Sequence, residues 1–183
     1  MNFKTLINED NLQKRVKTLA EEIENDYEDE DINLICILKG SFIFTADLSR
    51  YINKNVSIDF IDISSYRNDK REKINTDNMV IPDVNNKNVI IVEDIIDSGY
   101  TMKFLTEEIK KHNPKSVKVC TLLDKHEKRL TSFEADYVGF TIDDIYVLGY
   151  GMDSNQKYRN IPFIAYKDLD EEKENIKIKK RND

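Results

Sequence analysis

The chain has 183 residues, 39% hydrophobic and 34% charged, with a formal net charge of −7. That length fits one domain with a genuine core, and the acidic balance opposes general nucleic-acid binding, which needs a basic face. No apolar run approaches the roughly 20 residues of a membrane-spanning helix, and Met1-Asn2-Phe3-Lys4 lacks the apolar stretch of a secretory signal.

Leu12, Val16, Leu19, Ala20, Ile23 and Tyr27 recur at helical spacing, which predicts an opening amphipathic helix capped by Asn8 or Asn11. After an acidic connector, Asn25 to Asp31, the apolar run Ile32 to Leu38 reads as a buried strand. Lys39-Gly40-Ser41 breaks it, and Phe42 to Ile52 reads as a helix. Val56 to Phe60 alternates apolar with polar, as a strand with one solvated face does. Ser64 to Asn78 is polar, charged and without apolar periodicity, and such long connections are functional lids or disordered. Asn88 to Val92 predicts a strand, Thr101 to Lys111 a helix stopped by Asn113-Pro114, and Ser116 to Leu123 another strand.

Strand, helix, strand with short links implies a right-handed βαβ unit and a parallel sheet, whose ligands bind beyond the carboxyl ends of the strands. The loops at Lys39, at Asp94 to Thr101 and at Asp124-Lys125 then face one crevice. Tyr137 to Phe140 and Tyr146 to Gly149 read as two more short strands, and the chain beyond Ala165 as a solvated charged tail. Cys36 and Cys120 lie in separate apolar runs and read as reduced core thiols, so a cytoplasmic protein is expected.

The chemistry concentrates in Val89 to Thr101. A β-branched run ends in Glu93 and Asp94; Asp97 follows, then Ser98-Gly99-Tyr100-Thr101 opens a helix. No G-x-G-x-x-G or G-x-x-x-x-G-K-[ST] pattern can be drawn through the five glycines. An anion is instead expected on the 97–101 turn, held by N–H groups, hydroxyls and the helix N-terminus. Glu93 and Asp94 suit vicinal diols, or Mg²⁺ held through water. An acidic surface turn is the plain alternative, which the flanking strand and helix disfavour.

Val92 to Thr101 resembles the phosphoribosyl-pyrophosphate motif of type I phosphoribosyltransferases, in the form found in the hypoxanthine-guanine family. Four further segments agree in order: Leu38-Lys39-Gly40-Ser41 with the pyrophosphate loop, Ser64-Ser65-Tyr66 with the start of the hood loop, Leu122-Leu123-Asp124-Lys125 with the purine-reading lysine, and Asp136-Tyr137-Val138-Gly139-Phe140 through Val147-Leu148-Gly149-Tyr150-Gly151-Met152-Asp153 with the base-stacking stretch. The resemblance implies an α/β fold with a twisted, mainly parallel sheet flanked by helices. A small hood, a mobile loop over 65–78 and a charged tail over 167–183 would complete one domain.

It also implies Mg²⁺-dependent transfer of a 5-phosphoribosyl group from phosphoribosyl pyrophosphate to hypoxanthine or guanine, giving IMP or GMP and pyrophosphate. Asp97 would be the acid/base near purine N7. Glu93 and Asp94 would hold ribose and metal, while Asp97, Ser98, Gly99, Tyr100 and Thr101 would surround the ribose 5′-phosphate. Lys39, Gly40, Ser65, Tyr66 and Arg159 would meet pyrophosphate, and the family's peptide before Lys39 is often cis. Lys125 would donate to the exocyclic O6, Tyr146 would stack on the base, and Val147 would contact its edge. Asp153 would stand beside the purine and be the second-metal ligand near pyrophosphate. The partners implied are these substrates and a second copy or more, as homodimer or homotetramer, with no nucleic acid or membrane.

The sequence departs from the family at His126-Glu127 and at Asp143, where proline is common. Rival readings are a phosphoribosyltransferase for another base, which Lys125 and Tyr146 oppose, and a non-catalytic RNA-binding regulator on this fold, which the net charge and Asp97 oppose.

Overall fold

The computed structural model describes residues 3–28, 30–68, 71–76 and 79–167, with the side chains of 64–73 outside that description. In chain order the elements are β1 Phe3–Ile7, α1 Glu9–Tyr27, β2 Ile32–Leu38, α2 Phe42–Tyr51, β3 Val56–Asp62, β4 Ser64–Asn68 and β5 Arg71–Asn75. There follow β6 Asn88–Ile96, α3 Tyr100–Lys110, β7 Ser116–Asp124, β8 Tyr137–Thr141, β9 Val147–Leu148 and β10 Ile164–Lys167. No helix among the described residues is long and apolar enough to cross a membrane.

Five parallel strands form the main sheet in the order β3-β2-β6-β7-β8. Both faces are covered, which is why β2 is apolar at every position but Asn33. Leu34, Ile90, Val92, Cys120 and Leu122 pack against α1 and α2 on one face. Ile35, Ile37, Val89, Ile91 and Val119 meet Met102, Leu105 and Ile109 of α3 on the other. Each fully buried aliphatic side chain contributes about 1.5–3 kcal/mol of transfer energy. Cys36 and Cys120 are buried free thiols. Of the two candidate caps, Asn8 is the one used: its side chain accepts the Asn11 N–H at 2.9 Å.

Three features differ from the expectations. Strand β6 continues past Val92 to Ile96, because Glu93, Ile95 and Ile96 stay paired with Thr121, Leu123 and Asp124 of β7. The acidic pair thus lies on the strand itself. Strand β3 presents its apolar alternation outward: Ile58 is 40% and Phe60 57% exposed, while Ile61 is buried. On its other face the buried Asn33 amide donates to Ser57 Oγ at 2.8 Å and Asp59 Oδ2 at 2.9 Å.

Residues 64–68 and 71–75, expected as part of an irregular connection, pair as the antiparallel strands β4 and β5. Asp69, Lys70, Asp77 and Asn78 of the expected loop lie outside the described residues, as does the charged tail from residue 168. Lys167 is still strand, paired with Phe3. It belongs to a small antiparallel sheet, β1-β10-β9, that stands beside the carboxyl end of the main sheet and carries the segment after Tyr146.

Candidate active site

The loop after β2 begins with a cis peptide, Leu38–Lys39. It then brings Gly40 against Asp94: a Cβ on Gly40 would lie 2.1 Å from Asp94 Oδ2. Only a residue without a side chain allows that approach. Buried Ser41 anchors the loop, its hydroxyl donating to the Ile37 carbonyl at 2.7 Å.

Facing it, the end of β6 presents the acidic residues. Glu93 is 8% exposed; burial first, then the neighbouring Asp94 carboxylate, push its carboxyl well above the usual carboxylate range. Its Oε1 accepts the Asp94 N–H at 3.0 Å. Gly99, at φ +83°, then turns the chain into α3. A hollow of about 320 Å³ opens here, between Lys39 and Gly40 on one wall and Glu93, Asp94, Ser98, Gly99 and Thr101 on the other. Tyr100 stands exposed outside that lining.

A second hollow, about 740 Å³, shares Lys39, Gly40, Asp94 and Asp97 with the first and adds Lys125, Tyr146, Val147, Asp153 and Arg159. The two are one crevice across the carboxyl end of the sheet. Lys125 is buried, with Nζ 3.4 Å from Asp97 Oδ1 and 3.6 Å from Asp144 Oδ1. Lys128 binds the same Asp144 at 2.5 Å, and that hydrogen bond holds the Asp144 carboxyl below its ordinary range. The half-exposed Tyr146 donates its hydroxyl to the Asp153 carbonyl at 2.9 Å. The Asp153 carboxylate pairs with Arg159 at 2.9 Å, and Arg159 also donates to the Gly151 carbonyl at 2.7 Å.

The crevice therefore gathers the candidate residues of both halves. Ser65 and Tyr66 lie on β4, opposite Ile74 and Lys73, with their side chains outside the described set. The metal candidates do not share one cage. Glu93 borders the first hollow, Asp153 the second and Asp94 both. Among the described residues, the group whose ligand atoms all lie within 4.8 Å is instead Asp124, His126 and Glu134. Asp124 in that group already pairs with Arg129.

The family model described as the phosphoribosyl transferase domain matches residues 4–155. The chain belongs to the phosphoribosyltransferase family. It is similar to the hypoxanthine-guanine phosphoribosyltransferase of Bacillus subtilis (strain 168), 41% identical over 166 residues that cover 88% of this chain and 91% of that one. It is also similar to the hypoxanthine phosphoribosyltransferase of Buchnera aphidicola subsp. Schizaphis graminum, 46% identical over 170 residues, 89% of this chain and 94% of the relative. A crystal structure of a hypoxanthine-guanine phosphoribosyltransferase from Bacillus anthracis superposes with a TM-score of 0.84 at 50% identity, covering 91% of this chain and all of that one (100%). The α/β fold is that of the type I phosphoribosyltransferases.

Sequence reasoning missed several residues that shape this phosphoribosyltransferase's crevice. Tyr150 donates its buried hydroxyl to Asp47 Oδ2 at 2.5 Å, tying the segment after β9 to α2. Gly151, at φ +102°, rests on the loop after β2: a Cβ there would lie 2.0 Å from the Gly40 carbonyl oxygen. Asp144 and Arg129 also went unmarked. Their only signal is position, Asp144 two residues before Tyr146 and Arg129 four after Lys125.

Proposed function

We propose that the protein transfers the 5-phosphoribosyl group of phosphoribosyl pyrophosphate to hypoxanthine or guanine, giving IMP or GMP and pyrophosphate, with Mg²⁺ as cofactor. The observation that carries this reading is the pairing of Lys125 with Asp97 where the two hollows join. An ammonium there meets an exocyclic oxygen, whereas the 6-amino group of adenine would leave it without an acceptor.

Displacement of pyrophosphate by purine N9 builds positive charge on the ribose ring. Asp97, paired with Lys125, is the carboxylate that would take the proton the base sheds at N7. Ser98, Gly99 and Thr101 offer hydroxyl and N–H donors at the start of α3, a site suited to the 5′-phosphate. Tyr146 offers its exposed ring to the base and Val147 its backbone, while the Lys39-Gly40 backbone and Arg159 face the leaving pyrophosphate.

The acids fit the metal. Glu93 and Asp94 at one end of the crevice and Asp153 at the other provide the hard oxygen donors Mg²⁺ prefers, and a nearby cation would favour the charged Glu93 against the burial and the Asp94 carboxylate that raise it. When bound, the ion neutralises charge on the departing pyrophosphate.

Supporting a homodimer or homotetramer are Ile58 and Phe60 on the outer edge strand, an apolar pair that a second copy would cover. The buried free thiols are in keeping with the cytoplasm.

The direct test mixes protein, Mg²⁺ and phosphoribosyl pyrophosphate with each base and follows nucleotide formation. Hypoxanthine or guanine should turn over. Activity only with adenine or uracil would overturn the assignment.

A further inference from the structure

Between β7 and β8 the chain makes a short 3-10 turn, His126–Lys128, and returns Arg129 to the back of the phosphate turn. Its side chain is only 6% exposed. Asp124, the last residue of β7, pairs with Arg129 Nη2, while Nη1 donates to the Asp97 carbonyl oxygen at 2.6 Å. The stem lies against Gly99, where a Cβ would be 2.8 Å from Arg129 Cδ. The next carbonyl, that of Ser98, accepts from the Leu130 N–H at 2.9 Å and from the Thr131 hydroxyl at 3.4 Å.

Together these contacts aim the turn. The cis bond among the described residues is Leu38–Lys39, so the peptides following Asp97 and Ser98 are trans. In a trans peptide the C=O and the next N–H point in opposite directions. A carbonyl held from the Arg129 side therefore turns the following N–H away from that side. Arg129, Leu130 and Thr131 do not line the 320 Å³ hollow, whereas Ser98 and Gly99 do. The N–H groups of Ser98 and Gly99 are thus directed away from Arg129, in a turn that lines the hollow.

We propose that Arg129 is a positioning residue: held by Asp124, it fixes the Asp97 carbonyl so that the turn's N–H groups converge on the substrate's 5′-phosphate. It acts through the backbone and does not touch substrate. Donors fixed in advance need no reordering when an anion arrives, which is where such a contact adds affinity. Asp124 neutralises the guanidinium and gives it a partner other than the phosphate. The Arg129 Nε, buried and without a partner among the described residues, fits a side chain placed for its two terminal contacts. The inference rests on the function proposed above.

Its test compares Arg129→Lys and Arg129→Ala with the unmodified enzyme, measuring KM for phosphoribosyl pyrophosphate and for hypoxanthine separately, and the affinities for IMP and inosine. Loss of the aim should raise the phosphoribosyl-pyrophosphate KM about ten- to a hundredfold, the scale of an ångström-sized misplacement. Hypoxanthine KM and inosine affinity should hold, while IMP binding weakens in parallel. Guanidinium ion added at millimolar concentration should restore part of the loss in Arg129→Ala, with Arg129→Lys intermediate. Equal losses for IMP and inosine, or unchanged kinetics in a folded variant, would overturn the proposal. Absence of phosphoribosyl transfer by the unmodified enzyme would instead overturn the functional reading beneath it.

Discussion

Lys125 Nζ lies 3.4 Å from Asp97 Oδ1, so the cation assigned to the purine and the carboxylate assigned to its proton are already partners before any ligand enters. Each is thereby placed for its task. A base that approaches Lys125 through O6 is brought to the carboxylate as well.

Replacing Asp97 by Asn keeps the size of the side chain and removes the basic oxygen. Lys125 keeps Asp144, 3.6 Å away, so the variant should fold. Turnover should drop by about a hundred- to ten-thousandfold, the usual worth of a positioned acid or base, with little change in phosphoribosyl-pyrophosphate affinity. Steady-state kinetics beside a binding titration decide it; unaltered turnover would remove Asp97 from the reaction.

Lys125→Met keeps the apolar stem and deletes the charged donor. A hydrogen bond to a charged group contributes roughly 1.5–3 kcal/mol, so hypoxanthine KM should rise about ten- to a hundredfold. The preference for hypoxanthine over adenine should shrink by a similar factor. If adenine remains equally excluded, selection against it lies elsewhere in the crevice.

Gly40→Ala places a methyl 2.1 Å from Asp94 Oδ2, inside van der Waals contact. Either the loop or the carboxylate must shift, at about 1–3 kcal/mol by the usual cost of overpacking. Thermal unfolding should fall by several degrees and phosphoribosyl-pyrophosphate KM should increase. Native values for both would mean that the loop and β6 can separate freely.

A pH-dependent contribution sits away from the crevice, where Asp26 of α1 receives Lys118 Nζ at 2.6 Å and the Tyr137 hydroxyl at 2.7 Å. The Lys118 contact, then the Tyr137 hydrogen bond, hold the Asp26 carboxyl below its ordinary range. A carboxyl held lower in the folded than in the unfolded state stabilises above its unfolded pKa, near about 3.9, and loses that contribution as pH falls through the folded value. Asp26→Asn should lower the unfolding temperature near neutral pH, by only a few degrees at this exposed site. The gap should close as the pH drops below about 4. A gap that persists or widens in acid contradicts the pairing.

What could be read in advance was local. The run at β2, the capped face of α1 and the β6–turn–α3 passage carry their periodicity within a few residues, and motif order named the family. What stayed hidden depends on partners distant in sequence. Strand β1 acquires its meaning from β10, more than 150 residues later. Ile58 and Phe60 lie exposed on an edge strand whose opposite face is bonded by Asn33, more than 20 residues earlier. Arg129 is unremarkable until the fold sets it behind Asp97 and Gly99.

Gly151 on Gly40 has a mechanical consequence. With no side chain between them, the segment after Tyr146 and the loop after β2 bear on each other backbone to backbone. Neither can move far without displacing the other. In the proposed reaction, a shift at the pyrophosphate end of the crevice would be passed to its purine end through this contact.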